Sequence, residues 1–419
     1  MTERSPAKPV VLIVIDGLTP SMLEATDGPA LRFLLDHGDY RRAVSTFPSL
    51  TPVCLASIAT GAHPDVHGIP HLVWWNRDEQ RLVEYGSSFA ALRASGLVQG
   101  LRDTVVNLNE RHLSRNAETV YEALEGAGLT TAAINITTYR GRHRHLSPIP
   151  GFPPVHGPKR FFFYSVYESD RTGAPIAFLN RSLGSIDAYA ATIGRWLVTR
   201  DGFDLLVHYL PDYDYASHAL GPDSAHEALR RADDAIAALF DAAGGPDAFL
   251  ARYAVVLCSD HGQEPVTQVA RLEVPGALVT ASNRAAMLYG DDPRGLAAAL
   301  DGEPSVDLAV FLEDGRVVAR RRGDEDPALL DAYPQGRARV EGALRNPHAG
   351  EVLVSAAPGW EFADLAGRSH VGGGSHGALA PSDSEVPMLT VGLGEPPESI
   401  TGIKRLLLAH FGVEVAAAA

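Results

Sequence analysis

Short β-branched runs that alternate with helical segments constrain the fold of this chain more than any other feature of its sequence. Such alternation is typical of a mostly parallel central sheet with helices on both faces, because parallel neighbours need a long crossover connection. The sequence therefore predicts an α/β fold with strands at Val10–Ile15, Thr131–Ile136, Phe203–Tyr209, Tyr253–Cys258 and Met388–Val391. The run VEVAAAA at the end of the sequence predicts one more strand with a frayed tail.

The rhythm changes between about residues 265 and 347. A run with strand character is followed there by a short helical segment and by two alternating runs around Glu313-Asp314-Gly315, which is a hairpin signal. We predict a small α+β insertion at 265–347 in a main α/β domain formed by 1–264 and 348–419. The insertion is expected to contribute selectivity more than chemistry.

Composition excludes two classes of protein. The 36 basic and 51 acidic residues give a formal net charge of −15, which argues against nucleic-acid binding by bulk positive charge. The 2 cysteines, Cys54 and Cys258, are too few for a disulfide framework. The first apolar run, Val10–Ile15, is shorter than the ~7–15 residues of a signal-peptide core, and no stretch approaches the ~20 of a membrane span. These features predict a cytoplasmic protein without a membrane span.

Polar side chains follow three of the predicted strands. Asp16 comes after the first strand, Asp214 and His218 after the third, and Asp260 and His261 after the fourth. Each aspartate alone could cap a helix or close a turn. Because loops at the carboxyl ends of parallel strands form the ligand crevice, together they predict a site with mixed oxygen and nitrogen ligands for zinc, manganese or iron. His376, in GGGSHG, is a further candidate, although that glycine run could also be a plain connector.

The segment SLTPVCLASIATG predicts a short apolar helix. Pro52 suits the first helical position, so Thr51 is expected at the N-cap and Gly61 at the end. The positive end of the helix dipole attracts an anion, and a metal there lowers the pKa of a hydroxyl enough to make it a nucleophile toward phosphorus. A simple capping role for Thr51 remains the alternative.

Six motifs in order resemble those of one family, the nucleotide pyrophosphatase/phosphodiesterase branch of the alkaline phosphatase superfamily. In this sequence they read VLIVIDGL, FPSLT, ATGAHPDVHGI, DYASHALGP, SDHG and SHG. The resemblance covers residues 8 to 380 and places the nucleophile at Thr51. It implies two divalent metal ions, usually zinc. The implied ligands of one ion are Asp214, His218 and His376, and those of the other are Asp16, Asp260, His261 and the Thr51 oxygen.

The resemblance implies a hydrolase that cleaves phosphodiester or pyrophosphate bonds of a small-molecule phosphate ester through a phosphothreonine intermediate. A phosphonate hydrolase or phosphomonoesterase of the same superfamily is the alternative, since it uses the same metals and threonine. A sulfatase would need a Cys-x-Pro-x-Arg context that Cys54 lacks. A catalytically inactive metal-binding protein is a further alternative, which the intact set of ligands disfavours.

Two departures from the family pattern concern substrate binding. Pro52 has no N–H to hold a phosphate oxygen, and the family's asparagine after the His-Gly-Ile motif is missing from HGIPHLVWWN. His71 or Asn76 is predicted to replace it. The basic run from Tyr139 to His145 suggests that Arg140 and Arg142 clamp a second anionic group, with a solvated surface loop as the alternative.

Overall fold

The computed structural model describes residues 7–147, 149, 151–170, 172–173, 185–200 and 202–414. Its main sheet has eight strands in the order Asp39–Val44, Glu385–Val391, Ala254–Cys258, Val10–Ile15, Leu205–Leu210, Thr131–Ile134, Arg160–Phe163 and Tyr167–Glu168. The strands from Ala254–Cys258 to Arg160–Phe163 are parallel, and the outer ones are antiparallel. The predicted fold class is confirmed, and each of the five predicted internal strands coincides with one of these within a few residues.

Helices cover both faces of this sheet because the central strands are apolar on both sides. Val11, Ile13 and Ile15 pack on one face, and Val10, Leu12 and Val14 pack on the other. The helices of the first face are Pro20–Glu24, Pro29–His37, Ile186–Val198, Asp212–Leu220, His226–Ala243 and Pro246–Arg252. Those of the second face are Thr51–Thr60, Val120–Gly126 and Ile403–Phe411.

A second, antiparallel sheet lies in the region of the predicted insertion. Its order is Leu278–Ser282, Ala285–Tyr289, Val352–Ala356, Val306–Glu313, Arg316–Arg321 and Asp324–Glu325. The predicted hairpin forms at Asp314 and Gly315, which both have positive φ. The strand Val352–Ala356 belongs to this sheet, so the sheet continues past the predicted boundary at residue 347. Helices Pro293–Ala298, Pro327–Ala332 and Gly336–Leu344 accompany it.

Shorter elements complete the chain. Three consecutive helices, Phe89–Ser95, Leu97–Arg102 and the π-helix Asp103–His112, come between the helices Thr51–Thr60 and Val120–Gly126 along the chain. The other short helices are Pro64–His67, Pro222–Ser224, Pro381–Ser384 and Ile400–Gly402. Two-stranded pairs join Val73–Asn76 to Arg81–Glu84, His143–His145 to Val155–Gly157, Glu264–Pro265 to Gly374–Ser375, and Gln268–Ala270 to Trp360–Phe362.

Two further predictions concern a strand at the end of the sequence and membrane-spanning helices. Val413 and Glu414 are not in a strand, and residues 415–419 of the predicted last strand lie outside the described residues. Among the helices that are described, none has the length and apolar character needed to cross a membrane.

Candidate metal centre and active site

Three neighbouring parallel strands bring the predicted ligands to one edge of the main sheet. Val10–Ile15 lies between Leu205–Leu210 and Ala254–Cys258. Asp16 directly follows the first of these, and Asp260 and His261 follow Cys258 after one serine. The strand Leu205–Leu210 leads into the helix Asp212–Leu220, which carries Asp214 and His218 one turn apart. We call six side chains at this edge the ligand cluster: Asp16, Asp214, His218, Asp260, His261 and His376.

Thr51 is the first residue of the helix Thr51–Thr60, and the residue before it, Leu50, occupies the N-cap. The predicted N-cap role of Thr51 is therefore wrong by one position. The Leu50 carbonyl accepts the first helical hydrogen bond from Cys54 N, and Pro52 falls where its missing N–H has no helical partner to lose. The Thr51 hydroxyl is left free of capping, and its Oγ1 lies 3.0 Å from His261 Nε2.

One group of the ligand cluster contains Asp16, Asp260 and His261, whose candidate ligand atoms all lie within 4.8 Å of one another. His261 Nε2 is 3.3 Å from Asp16 Oδ1 and 3.4 Å from Asp260 Oδ2. Both of these carboxylate oxygens are buried without a hydrogen-bond donor. Buried carboxylate oxygens need a positive partner, so these atoms fit a divalent cation.

A second group contains Asp214, His261 and His376 within the same 4.8 Å limit. The rings of His261 and His376 stack with their centroids 3.5 Å apart. His218 lies beside this group, with its Nε2 3.3 Å from Asp214 Oδ2. The geometry thus places His261 between the two groups, whereas the family resemblance assigned it to one ion only.

Backbone carbonyls orient the imidazole rings. The Nδ1 atoms of His218 and His376 donate to Gly374 O at 2.8 Å and to Ser49 O at 2.7 Å, and that of His261 lies 3.0 Å from Gly262 O. Because a carbonyl can only accept, each Nδ1 carries a proton, and Nε2 is the ring nitrogen turned toward the cluster. Outer hydrogen bonds of this kind are characteristic of histidines that ligate metals.

The carboxylates of the cluster are also held by neighbours. Tyr209 Oη donates to Asp16 Oδ2, and Gln263 Nε2 donates to Asp214 Oδ1. The backbone N–H of Gly17 donates to Asp260 Oδ1 at 3.2 Å. Each aspartate therefore has one oxygen fixed by the protein. Asp16 and Asp260 keep the other oxygen for a cation, and in Asp214 the second oxygen faces His218.

The electrostatics of the cluster favour bound cations. Burial and the nearby charges of Asp260 and Asp214 raise the pKa of Asp16, and burial also raises the pKa of Asp260. Burial opposes ionisation of Asp214, but the adjacent imidazole of His218 outweighs it and lowers the pKa of Asp214. Three acids this close destabilise one another when all are ionised, and divalent cations relieve that repulsion. The residues present therefore fit a centre for divalent metals.

Glu361 and His370 lie beside the ligand cluster and were not anticipated. Buried Glu361 accepts from His370 Nδ1 at 2.6 Å and from Ser375 Oγ at 2.8 Å. The rings of His370 and His218 lie with their centroids 4.0 Å apart and their planes tilted by 30°. His370 stands in the same glycine-rich loop as His376, so its sequence position was a usable signal.

Asn283 is a second unanticipated neighbour of the cluster. Its Nδ2 donates to His376 Nε2 over 3.2 Å from a turn of the second sheet, where its φ is 58°. Asparagine tolerates this left-handed backbone better than most residues. No spacing in the sequence connects that turn with the strand ends.

A cavity of about 420 Å³ opens from the ligand cluster. Asp16, Thr51, Asp214 and His376 lie at its polar end. Leu92, Leu101, Val105 and Leu108, on the three consecutive helices between residues 89 and 112, form what we call the apolar wall. The cavity therefore joins a charged, buried end to an apolar side.

The residues predicted to bind substrate lie elsewhere. His71 is buried and its Nδ1 accepts from Val73 N at 3.1 Å, and the side-chain oxygen of Asn76 caps a turn by accepting from Asp78 N and Glu79 N. Neither lines the cavity. Asn76 therefore stabilises the turn of the hairpin, because its side-chain oxygen accepts hydrogen bonds from two backbone N–H groups.

Arg140 and Arg142 are also used away from the cavity. The buried Arg140 guanidinium donates to Leu113 O at 2.8 Å and pairs with Glu122 at 3.0 Å. Arg142 is half-exposed and donates to Glu122 O at 2.6 Å. These donors tie a loop to the helix Val120–Gly126, and neither arginine is among the residues that line the cavity.

A buried arginine beside the second sheet donates to the segment 46–49 that precedes Thr51. Arg339, on the helix Gly336–Leu344, donates to Thr46 O at 3.2 Å and to Ser49 Oγ at 3.1 Å. Ser49 in turn offers its carbonyl to His376. Arg339 thereby connects the turn before Thr51 with a ligand of the cluster.

Solved structures share this fold. Murine ectonucleotide pyrophosphatase/phosphodiesterase 5 matches with a TM-score of 0.67 and 14% identity, covering 98% of this chain and 96% of the murine chain. Phosphonoacetate hydrolase from Sinorhizobium meliloti, in complex with phosphonoformate, matches with a TM-score of 0.64 and 18% identity, covering 99% and 96%. At these identities the likeness establishes the fold.

Sequence comparisons give the family. No curated protein sequence matches the chain. The family model described as type I phosphodiesterase / nucleotide pyrophosphatase matches residues 10–379, which include Thr51 and the whole ligand cluster. The chain therefore belongs to the type I phosphodiesterase/nucleotide pyrophosphatase family.

Proposed function

We propose that this protein hydrolyses phosphodiester or pyrophosphate bonds in a small-molecule phosphate ester, with Thr51 as the nucleophile. The observation that carries the proposal is the position of the Thr51 hydroxyl, 3.0 Å from His261 Nε2 and at the polar end of the cavity. Membership of the family supports a phosphoric ester hydrolase. A further structure of the murine relative, which is an inactive threonine-to-alanine variant in complex with AMP, supports both a threonine nucleophile and a small phosphate ester.

Two divalent metal ions would complete the site. Asp16, Asp260, His261 and Thr51 would hold one, and Asp214, His218 and His376 would hold the other. Zinc suits this mixture of carboxylates and imidazoles, with manganese or iron as alternatives. When bound, the ions lower the pKa of the Thr51 hydroxyl and neutralise charge on the phosphoryl group.

The chemistry then runs through Thr51. Its hydroxyl gives up its proton to water as Oγ1 attacks phosphorus. The bond from phosphorus to one ester oxygen breaks, and the departing oxygen takes up one proton from water, so no net proton is gained or lost. The resulting phosphothreonine is hydrolysed by a second water, which returns the free hydroxyl and releases the phosphate product. The positive end of the helix Thr51–Thr60 favours the anionic phosphoryl group throughout.

A phosphonate hydrolase or phosphomonoesterase is the second candidate. It is favoured by the structural likeness to the Sinorhizobium meliloti phosphonoacetate hydrolase, which extends over 99% of this chain. Rates on bis-p-nitrophenyl phosphate, p-nitrophenyl phosphate and phosphonoacetate, with zinc or manganese added to the purified protein, separate these candidates. Faster hydrolysis of the diester supports the first proposal, and preference for phosphonoacetate contradicts it.

Substitution of Thr51 tests the covalent mechanism. Thr51→Ala should lower turnover of the diester by several orders of magnitude, whereas Thr51→Ser, which keeps the hydroxyl, should retain measurable activity. Circular dichroism should show that both variants keep the fold. Elemental analysis should find about two metal ions per chain in the parent protein. A rate for Thr51→Ala within about tenfold of the parent, or only ~1.4 kcal/mol in the barrier, would mean that water attacks directly.

A further inference from the structure

The apolar wall forms one side of the cavity. Three consecutive helices, Phe89–Ser95, Leu97–Arg102 and Asp103–His112, contribute Leu92, Leu101, Val105 and Leu108 to it. Phe163, at the end of the strand Arg160–Phe163, and Tyr164 and Val166, which follow it, also line the cavity. A substrate bound at Thr51 therefore has an apolar surface next to its phosphoryl group.

Polar contacts behind the wall hold it in place. Buried Asp103 accepts from both terminal nitrogens of Arg81, at 2.6 and 2.8 Å, and from Asn107 at 2.7 Å. Tyr139 Oη donates to the carbonyl of Val105. The segment 103–112 is a π-helix, a rare form that, where it occurs, is often found at functional sites. The wall is thus anchored by specific residues.

The charges around the cavity exclude a second anionic group. Among the described residues that line it, the ionisable side chains are carboxylates, histidines and tyrosines, and none is a lysine or an arginine. A carboxylate or second phosphate that entered the cavity beyond the ligand cluster would lose its hydration without gaining an ion pair. An uncharged group loses little hydration there and covers apolar surface.

The exposed fractions of two side chains on the helix Leu97–Arg102 distinguish its cavity face from its outer face. Leu101 lines the cavity although 43% of it is exposed, so a bound ligand would cover apolar surface that now faces solvent. Val98 lies on the same short helix and is 81% exposed, but it is not part of the cavity lining. The two residues provide a matched pair for an experiment.

From these observations we propose that the cavity selects phosphodiesters that carry an alkyl or aryl substituent and no second anionic group. The inference rests on the proposed function and narrows it to phosphodiesters, because a pyrophosphate carries a second anionic group. The phosphoryl group binds at Thr51 and the ligand cluster, and the substituent packs against the apolar wall.

Symmetric dialkyl and diaryl phosphates test this selection, because either of their two substituents can pack against the apolar wall. Dimethyl, dibutyl and diphenyl phosphate and phosphonoacetate are measured as competitive inhibitors of bis-p-nitrophenyl phosphate hydrolysis by the full-length metal-loaded protein. We expect the inhibition constant to fall at least tenfold from dimethyl to dibutyl or diphenyl phosphate. Phosphonoacetate should inhibit more weakly than dibutyl phosphate.

Two variants locate the effect. Leu101→Ser should reduce the preference for dibutyl over dimethyl phosphate at least threefold and leave inhibition by dimethyl phosphate unchanged. Val98→Ser should change neither, and circular dichroism of both variants checks the fold. Equal inhibition by dimethyl and dibutyl phosphate, tighter inhibition by phosphonoacetate, or equal effects of the two substitutions would overturn the inference. Failure of the parent to hydrolyse the reporter diester would instead overturn the proposed function on which it rests.

Discussion

The two sides of the cavity are built in different ways. The ligand cluster is largely buried and is fixed by hydrogen bonds from ring nitrogens to Ser49 O and Gly374 O. The apolar wall is partly exposed and is positioned by contacts behind it, such as Arg81 with Asp103. Most of the ligand cluster thus follows the ends of sheet strands, whereas the surface beside it is formed by helices.

The largest effect should come from a substitution in the ligand cluster. Asp260→Asn keeps an acceptor for Gly17 N, so the fold should survive, but it removes a negative ligand from the group with Asp16 and His261. We expect turnover of bis-p-nitrophenyl phosphate to fall by about 10³-fold or more, equivalent to ~4 kcal/mol. Elemental analysis should show the loss of about one metal ion per chain. Full metal content with nearly normal turnover would break the assignment of this side of the cavity.

A smaller effect, on stability alone, is expected at Arg140. Arg140→Met leaves Glu122 and the carbonyl of Leu113 without their buried partner, so the free energy of unfolding should fall by about 3–5 kcal/mol. In Arg142→Met, which removes a half-exposed charge, the fall should be below about 1 kcal/mol. Urea denaturation measures both. The kcat/KM of folded protein should stay within about threefold of the parent, and a tenfold rise in KM for Arg140→Met would return this arginine to the site.

The smallest effect concerns pH and the start of the apolar wall. Glu84 accepts from Gly86 N just before the first wall helix, and burial raises its pKa to about 7. Since that value lies above the unfolded pKa of about 4.3, Glu84 contributes stability below pH ~4.3 that is lost as pH rises through 7. From pH 5 to 8, the free energy of unfolding of the parent should fall relative to Glu84→Gln by on the order of 2 kcal/mol. Parallel pH profiles for the two proteins would contradict this.

Sequence reasoning predicted the ligand cluster because strand ends can be located from short apolar runs. Asp16, Asp214 and Asp260 each follow such a run, and parallel neighbours carry them to one edge of the sheet. The position of His261 between the two groups depends on the stacking of its ring on His376, which no local pattern encodes. The division of ligands between two ions therefore stays a prediction.

The apolar wall could not be predicted in the same way. Its last helix, Asp103–His112, has π-helical hydrogen bonds, so the usual spacing of 3.6 residues does not identify the side chains that share a face. The burial of Arg140 could not be foreseen for a different reason. A dense basic run is normally exposed, but here Glu122 and several carbonyls bury one of its members. Likewise, the second sheet takes in Val352–Ala356 from beyond the change of rhythm that marked the predicted insertion.

The bond from Arg339 to Ser49 limits how freely regions of this protein can be recombined. The predicted insertion was expected to influence selectivity more than chemistry, yet it supplies the donor that holds the turn before Thr51. A chimera that takes the second sheet and its helices from one relative and the turn before Thr51 from another would separate these two hydrogen-bonded groups. Arg339 and Ser49 would therefore have to be inherited together, as a single unit of exchange.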